Sequence, residues 1–235
     1  MKTGMGILEV KNLKKMYGTY MGVEDVSFSV PKGQIYGFIG PNGAGKSTTI
    51  RILMGLLFPT EGSAAIFGKD VTKFDDDIKN DVGYVSADSV FYKNYTAIEI
   101  FKYSASLRGC SMQRVNELVD MFELDTRKKG KQLSFGNAKK VSIILAVMHN
   151  PNLLILDEPT SGLDPVMQQR FFNLLTQEKQ RGATVLLSTH ILSDVQKICD
   201  EAAIIKKGKI VDIINVEELA KERGDLQETF MQYYV

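Results

Sequence analysis

The chain has 235 residues, of which 44% are hydrophobic and 24% are charged, as expected for one large globular domain or two closely joined lobes. Its formal net charge of +1 gives no broad basic field, so nucleic acid is not an expected partner. No apolar run approaches the roughly 18 residues of a membrane span, and residues 1–6 lack the apolar centre of a signal peptide, so we expect a soluble protein that meets any membrane through a partner. The two cysteines, Cys110 and Cys199, show no metal-ligand spacing and fit reduced thiols.

The first third of the sequence is predicted to form strands and turns around a glycine-rich loop. Apolar residues alternate or cluster over residues 7–10, 26–30 and Ile35–Ile39, which is typical of strands. Segments with proline and glycine at residues 31–33 and 58–63 predict turns. We therefore expect β-structure on both sides of the loop.

The glycine-rich loop is the most specific motif in the chain. It consists of Gly40, Pro41, Asn42, Gly43, Ala44, Gly45, Lys46, Ser47 and Thr48. It follows a predicted strand and precedes a helix predicted over residues 49–57, which is the setting of a phosphate-binding loop with the pattern G-x-x-x-x-G-K-S. The glycines let backbone N–H groups approach phosphate oxygens, Lys46 would reach the outer phosphates, and the Ser47 hydroxyl would bind Mg²⁺. The alternative is a strand–turn–helix corner that merely favours glycine.

The middle of the chain, residues 88–131, is predicted to be helical. Ala97–Arg108 and residues 113–122 carry apolar residues three and four positions apart, and Gly109 is expected to end the first of these helices. A helical insertion in an otherwise alternating α/β pattern suggests a second lobe.

Alternation of helices and strands resumes after residue 133. Helices are predicted over residues 133–149, 164–181 and 191–199, and strands over Leu153–Asp157, 183–187, 202–205 and 209–214. Asp164 is expected to cap its helix, Lys207 and Gly208 to form a hairpin turn between the last two strands, and Asn215 to cap a final helix.

Two carboxylates and a histidine stand at the ends of predicted buried strands. The carboxyl ends of parallel strands face the ligand crevice, so we expect Asp157 to hold Mg²⁺ through water and Glu158 to polarise the attacking water. The alternative for both is a solvent-facing pair where a strand meets a turn. His190 is interpreted as a γ-phosphate contact, with an ordinary surface or core histidine as the alternative, and His149 is assigned to structure.

Two further motifs complete a resemblance to a known family. Leu133-Ser134-Phe135-Gly136-Asn137 precedes a helix, and Pro159-Thr160-Ser161-Gly162-Leu163-Asp164-Pro165 follows the carboxylates. With the phosphate loop and His190, they resemble the signature motif and D-loop of the nucleotide-binding subunits of ATP-binding cassette (ABC) transporters, and the resemblance covers nearly the whole chain. It implies an α/β fold: a P-loop NTPase core with a mixed or parallel sheet, an N-terminal antiparallel β subdomain and an inserted helical subdomain. It also implies one domain, with the core at about 1–87 and 135–235 and the helical part at about 88–134.

The resemblance implies ATP and Mg²⁺ as cofactors and a second ATP-binding subunit, identical or different, as a partner. Two such subunits pair head to tail, so that each ATP lies between the phosphate loop of one and the signature motif of the other. Ser134 and the Gly136 backbone would donate to the γ-phosphate across the interface. Tyr17 stands where the family's adenine-stacking aromatic lies, with a core tyrosine as the alternative.

The resemblance also implies a separate transmembrane subunit that would hold the protein at the cytoplasmic face of the cell membrane. A helix of that subunit would enter a groove near residues 84–95. Phe91, Tyr92 and Tyr95 would line this groove, or pack in the core instead.

The chain departs from the family pattern at two places. Ala87 stands where the family usually carries Gln or Glu, and it can neither bind Mg²⁺ nor orient water, which leaves Ser86, Asp88 or water to replace that side chain. Phe135 and Asn137 stand where many members have Gly and Gln, and exporter-type members tolerate such changes.

The predicted function is therefore an ATPase that converts ATP and water to ADP and phosphate and powers an exporter, with Lys46, Glu158 and His190 as its catalytic residues. The alternatives are a soluble ABC-type ATPase that acts as a switch in assembly, repair or translation, and a cassette that only binds ATP.

Overall fold

The computed structural model describes residues 6–73, 76–89, 92–221 and 226–233. The strands are β1 (Leu8–Tyr17), β2 (Tyr20–Val30), β3 (Ile35–Ile39), β4 (Glu61–Ile66), β5 (Lys69–Asp70), β6 (Val82–Val85), β7 (Leu153–Asp157), β8 (Thr184–Thr189), β9 (Glu201–Lys206) and β10 (Lys209–Asn215). Within the described residues, all ten belong to one sheet of order β5-β4-β1-β2-β10-β9-β3-β8-β7-β6.

The helices lie mainly in the second half of the chain. They are α1 (Lys46–Leu53), α2 (Asp76–Asp81), α3 (Ala97–Arg108), α4 (Met112–Met121), α5 (Phe135–Val147), α6 (Pro165–Gln180), α7 (Leu192–Ile198), α8 (Val216–Lys221) and α9 (Leu226–Gln232). In the part of the chain that the structure describes, none of them is long and apolar enough to cross a membrane.

The sheet changes character along its width. Strands β1, β2, β4 and β5 pair antiparallel at one end, whereas β9, β3, β8, β7 and β6 run parallel. The hairpin β9–β10 joins the two parts, since β10 is antiparallel to β9 and parallel to β2. The predicted α/β class, with a mixed sheet and an antiparallel β part at the N-terminus, is therefore confirmed.

Both faces of the parallel strands are covered, which explains their continuous apolar sequences. In β3, Ile35 and Ile39 belong to the core shared with α3 to α6, while Tyr36 and Phe38 belong to the core on the opposite face. Phe28 of β2 stacks on both of these aromatic rings, with centroids 5.8 and 5.2 Å away. The antiparallel part is thus packed onto the strand that leads into the glycine-rich loop.

Several predicted elements have the predicted bounds or caps. Helix α3 spans Ala97–Arg108 and ends at Gly109, whose φ of 63° is left-handed. Asp164 caps α6 by accepting from two backbone N–H groups, and Asn215 accepts from the backbone N–H of Glu218 at the start of α8. The turn between β9 and β10 uses Lys207 and Gly208, both with positive φ.

Other boundaries differ from the prediction for local reasons. Helix α1 begins at Lys46, because Gly45 is its left-handed N-cap, and it ends before Gly55, whose φ is 66°. Helix α5 begins at Phe135, because the Ser134 side chain caps it. Strand β4 starts at Glu61, inside a predicted turn, since its polar first residues give no strand signal and are held by pairing with β1. Strands β5 and β6 and helices α2 and α9 have no predicted counterpart.

Candidate nucleotide-binding site

The glycine-rich loop connects β3 to α1 in a conformation that requires glycine. Gly43 and Gly45 have φ values of 79° and 111°, in the left-handed region that side chains disfavour. A Cβ at Gly40 would lie 2.4 Å from the carbonyl oxygen of Ile205, so this residue must also lack a side chain. The N-cap of α1 has no side-chain hydrogen bond, which leaves the first N–H groups of the helix available to an anion.

The Lys46 ammonium lies under this loop and is only 5% exposed. Its Nζ donates to the carbonyl oxygens of Gly40 and Pro41 at 2.6 and 3.2 Å, and lies 3.5 Å from Glu158 Oε1. A cation is therefore held at the end of β3, between the loop backbone and the end of β7.

Asp157 is the last residue of β7 and is 2% exposed. It accepts a 3.0 Å hydrogen bond from Ser188 Oγ on β8 and another from the Ser47 side chain. Burial raises the pKa of the Asp157 carboxyl, and the two hydroxyl donors oppose this shift. A carboxylate beside the Ser47 hydroxyl is a pair of hard oxygen ligands, which suits Mg²⁺. Ser188 was not predicted from the sequence as a site residue. Its hydrogen bond to Asp157 forms only because β7 and β8 are neighbours in the sheet.

Glu158 follows β7 with a strained backbone, since its φ is 48°. Its backbone N–H donates to the Ser188 carbonyl at 3.0 Å, and its Oε2 lies 2.9 Å from His190 Nδ1. Among the described residues, the buried Oε1 has no hydrogen-bond partner. The left-handed turn thus aims a carboxylate oxygen with free acceptor capacity toward the Lys46 side of the site.

His190 follows β8, and its side chain is about half exposed. Contact with Glu158 joins the ends of β7 and β8, as the parallel register of these strands allows. His149 lies elsewhere, at the end of α5, where burial lowers its pKa to about 4 and keeps it neutral. The two histidines therefore occupy different environments.

A cavity of about 260 Å³ opens over the loop. Its lining is formed by Tyr20, Gly22, Asn42, Gly43, Gly45, Lys46, Ser47, Thr48, Ala87 and Glu158. Tyr17 is not among these residues: its ring packs against Gly22, where a Cβ would lie 2.6 Å from a ring carbon. Tyr20 faces the cavity instead, directly opposite Tyr17 in the β1–β2 pairing. The sequence signal that could have pointed to Tyr20 is its position directly across the short turn from Tyr17.

Ser134 and Gly136 lie outside this cavity, at the start of α5. Ser134 Oγ accepts from the backbone N–H of Asn137 at 3.3 Å, and a Cβ at Gly136 would lie 2.4 Å from the Gly162 carbonyl oxygen. Phe135 covers Gly162 and remains 55% exposed. The two predicted motifs therefore pack against each other within the chain and form a surface that is separate from the glycine-rich loop.

The segment around Ala87 separates two cavities. Ala87 lines the cavity over the loop and also a second one of about 310 Å³, whose lining includes Arg51, Tyr84 and Asp157. Burial raises the pKa of the Tyr84 hydroxyl to about 12, and the negative charge of Asp157 adds a smaller increase. The small side chain at position 87 thus leaves space beside the buried carboxylate.

An aromatic groove lies beside the helical part. Tyr92 and Tyr95 are 72% and 56% exposed, with ring centroids 5.9 Å apart, and they line a cavity of about 380 Å³ together with Glu99, Ile100 and Tyr103. This exposure excludes the alternative of core packing for both tyrosines. Phe91 lies outside the described residues.

Comparison with known proteins finds related sequences over most of the chain. A family model described as ABC transporter matches residues 23–161. The bacitracin transport ATP-binding protein BcrA of Bacillus licheniformis is 37% identical, over 92% of this chain and 72% of that protein. The lantibiotic transport ATP-binding protein SrtF of Streptococcus pyogenes is 36% identical, over 87% of this chain and 89% of that protein.

Solved structures of ATP-binding cassettes have the same fold as this chain. The ATP-binding subunit of an ABC transporter superposes with a TM-score of 0.88 at 30% identity, covering 97% of this chain and 100% of that one. A dimeric ATP-binding cassette in a post-hydrolysis state, bound to ADP and Pi, superposes with a TM-score of 0.78 at 28% identity, covering 89% of this chain and 98% of that one.

Proposed function

The chain belongs to the ABC transporter family, and from this premise we propose that it is the ATP-hydrolysing subunit of an exporter. It binds and hydrolyses ATP and powers a membrane transporter. Export is supported by relatives named for bacitracin, lantibiotic and multidrug transport. These names also favour transport over a switch in assembly, repair or translation.

One observation carries the proposed mechanism: Lys46, Asp157, Glu158 and His190 converge from three adjacent parallel strand ends. The loop residues Gly40, Pro41, Asn42, Gly43, Ala44, Gly45, Lys46, Ser47 and Thr48 would wrap the ATP phosphates with their backbone N–H groups. Lys46 would move its ammonium from the loop carbonyls to the outer phosphates. Neutralising phosphate charge in this way supplies the electrostatic part of catalysis.

Mg²⁺ fits the hard oxygens of Ser47 and Asp157. Ser47 and Asp157 would hold the ion, which would supply positive charge to offset the negative charge of the phosphates; one or two protein ligands besides the nucleotide are commonly enough for Mg²⁺. Asp157 would act through its buried carboxylate, which Ser188 orients by a 3.0 Å hydrogen bond.

Glu158 would act as the general base for the attacking water. Its Oε1 has acceptor capacity to spare among the described residues, while its Oε2 is held by His190 at 2.9 Å. His190 would position the carboxylate and contact the γ-phosphate from the same strand end.

A second ATP-binding subunit would complete the site. Ser134 and Gly136 lie on a surface apart from the loop, as expected for groups that serve the nucleotide of a partner subunit. Tyr17 or its neighbour Tyr20 would contact the base, and the lining of the cavity favours Tyr20.

A separate transmembrane subunit would occupy the aromatic groove and hold the protein at the cytoplasmic face of the membrane. Exposed Tyr92, Tyr95 and Tyr103 offer rigid aromatic surface with polar tips, which is typical of anchors at protein interfaces. The helices α3 and α4, between β6 and α5, would form the helical subdomain at about residues 88–134, inserted between core segments at about 1–87 and 135–235.

The variant Glu158→Gln tests the proposed function. It keeps the size of the side chain but removes the base, so the rate of ATP hydrolysis should fall by about 100-fold or more. ATP binding should persist, and the protein should accumulate as an ATP-bound dimer in size-exclusion chromatography. Glu228→Gln, on α9, is the matched control and should behave as wild type. Rapid turnover by Glu158→Gln would remove Glu158 from this role.

A further inference from the structure

One buried cation has no part in the mechanism described above. Lys139, on α5, is 0% exposed. Its Nζ donates to the carbonyl oxygens of Ser86 and Ala87 at 3.1 and 2.8 Å. Among the described residues, no carboxylate lies within ion-pair distance of it. The ammonium also lies 5.7 Å from the centroid of the Phe135 ring, a cation–π contact. Burying an ammonium without a carboxylate partner is costly, so its position in the fold requires an explanation.

The loop held by Lys139 borders the candidate active site. Ala87 lines both the cavity over the glycine-rich loop and the one that contains Asp157. A methyl group offers no hydrogen bond to either cavity. Ser86 and Asp88 line the second cavity together with Ala87, and the Ser86 hydroxyl donates to the Asp88 carbonyl. At position 87 itself, a polar contact with the site must come from the backbone or from a group that holds the backbone.

Lys139 lies within electrostatic range of the site carboxylates. Burial lowers the pKa of its ammonium, whereas the charges of Asp157, Asp88 and Glu158 favour the protonated form. An ammonium has three donors, and two of them are used on the loop carbonyls. Since α5 begins at Ser134, one rigid helix carries both Lys139 and the motif that would serve the partner's nucleotide.

We propose that Lys139 is a positioning residue for ATP hydrolysis: it holds the Ser86–Ala87 backbone on α5 and supplies, beside Asp157 and Glu158, the polar support that Ala87 cannot. This inference rests on the proposed function. Lys139 acts through the loop and the carboxylates and does not touch the reacting atoms. A longer amide side chain at position 87 would reach into the empty space beside Asp157 and make Lys139 less important.

A double-mutant cycle with Lys139→Gln and Ala87→Gln tests this dependence. In the wild-type background, Lys139→Gln should lower kcat about 10-fold and leave the KM for ATP within about twofold. In the Ala87→Gln background, Lys139→Gln should lower kcat by less than about twofold, because the amide at position 87 replaces part of what Lys139 provides and the two positions are therefore coupled. Equal losses in both backgrounds would overturn the proposal.

Ser142→Ala is the matched control. Ser142 Oγ donates a 3.1 Å hydrogen bond to Ser89 Oγ. This is a second hydrogen bond between the same helix and the same loop, and it involves no charge. This variant should keep kcat within about twofold of wild type in both backgrounds. If Ser142→Ala lowered kcat as much as Lys139→Gln does, any hydrogen bond between the helix and the loop would matter equally. That result would refute a special role of the ammonium.

Amide hydrogen exchange of residues 84–88, measured without nucleotide, gives a readout independent of turnover. Exchange should accelerate in Lys139→Gln and remain unchanged in Ser142→Ala; unchanged exchange in Lys139→Gln would contradict the positioning role. If Lys139→Gln does not fold, Lys139→Arg, which retains the charge and donors, should keep kcat within about threefold, and a 10-fold loss would count against the proposal. Absence of ATP hydrolysis by wild type with its membrane subunit would instead refute the proposed function.

Discussion

At the scale of single residues, Glu158 shows how backbone geometry prepares a side chain for chemistry. Its left-handed φ of 48° costs conformational energy, which the hydrogen bond of its N–H to Ser188 helps to offset. The turn lets one carboxylate oxygen meet His190 while the other faces Lys46. The strain therefore coincides with the residue assigned as the general base.

Replacing Asp157 with Asn should stabilise the protein in the absence of metal and nucleotide. The pKa of Asp157 is raised chiefly by burial, so its ionised form is disfavoured in the folded state. When the pKa of an acid is higher in the folded state than in the unfolded state, the protein becomes less stable as the pH rises. The loss begins near the pKa in the unfolded state, about 3.9, and is complete above the pKa in the folded state. Asn avoids this cost, and the melting temperature at neutral pH should rise by about 2–4 °C, as about 1 kcal/mol produces in a chain of this size.

Thermal unfolding in EDTA measures this effect. The advantage of Asp157→Asn should shrink as the pH falls, because the carboxyl of the wild-type protein then becomes protonated. Ser188→Ala removes a donor to the carboxylate and should lower the melting temperature at neutral pH, the opposite sign. A lower melting temperature for Asp157→Asn would show that the hydrogen bonds outweigh the cost of burial.

At the scale of elements, helix caps fix where the helical part begins. Thr96 and Glu99 form a reciprocal capping box at the start of α3: the Thr96 side chain accepts from the Glu99 backbone, and the Glu99 carboxylate accepts from the Thr96 N–H at 2.7 Å. Because α3 carries Tyr103, this cap also sets the position of the aromatic groove.

Thr96→Ala should destabilise the protein by about 1 kcal/mol, the usual cost of losing an N-cap. Chemical denaturation measures the difference in the free energy of unfolding. Ser106→Ala, at an exposed position within the same helix, also removes a hydroxyl but should be neutral or slightly stabilising, because Ala has the higher helix propensity. Equal effects of the two changes would argue against a role for the cap.

At the scale of the whole molecule, three regions lie on different parts of one frame of sheet and helices: the glycine-rich loop, the aromatic groove, and the surface formed by Ser134, Gly136 and Gly162, called here the signature surface. Helix α5 starts at the signature surface and packs along β6, and its Lys139 reaches the loop that leads to the helical part. Through this contact, α5 is joined to a segment that lines the candidate nucleotide-binding site.

Tyr103→Ala should weaken binding of the transmembrane subunit by about 30-fold, the effect of losing a buried aromatic anchor of about 2 kcal/mol. Co-purification of the two co-expressed subunits measures this loss, and ATP hydrolysis by the subunit alone should be unchanged. Met231→Ala, exposed on α9, is the control and should co-purify normally. Normal co-purification of Tyr103→Ala would exclude the groove as the docking site.

The sequence by itself determined the elements, turns and caps whose signals are local. The strand–loop–helix motif, the strand Leu153–Asp157, the helix Ala97–Arg108 and the cap Asp164 follow from apolar periodicity, glycine stereochemistry and side-chain capping, which act within a few residues. The mixed sheet was implied by family resemblance.

Only the tertiary structure decided the features that depend on residues far apart in the chain. Pairing with β1 makes the polar residues of β4 a strand, and parallel register brings Ser188 to Asp157 and His190 to Glu158. Packing places Tyr20, and not Tyr17, in the lining of the cavity over the glycine-rich loop. The contact of Lys139 with Ala87 spans 52 residues and leaves no periodic or motif signal. Such contacts arise from burial and hydrogen bonding in three dimensions, which local propensity does not encode.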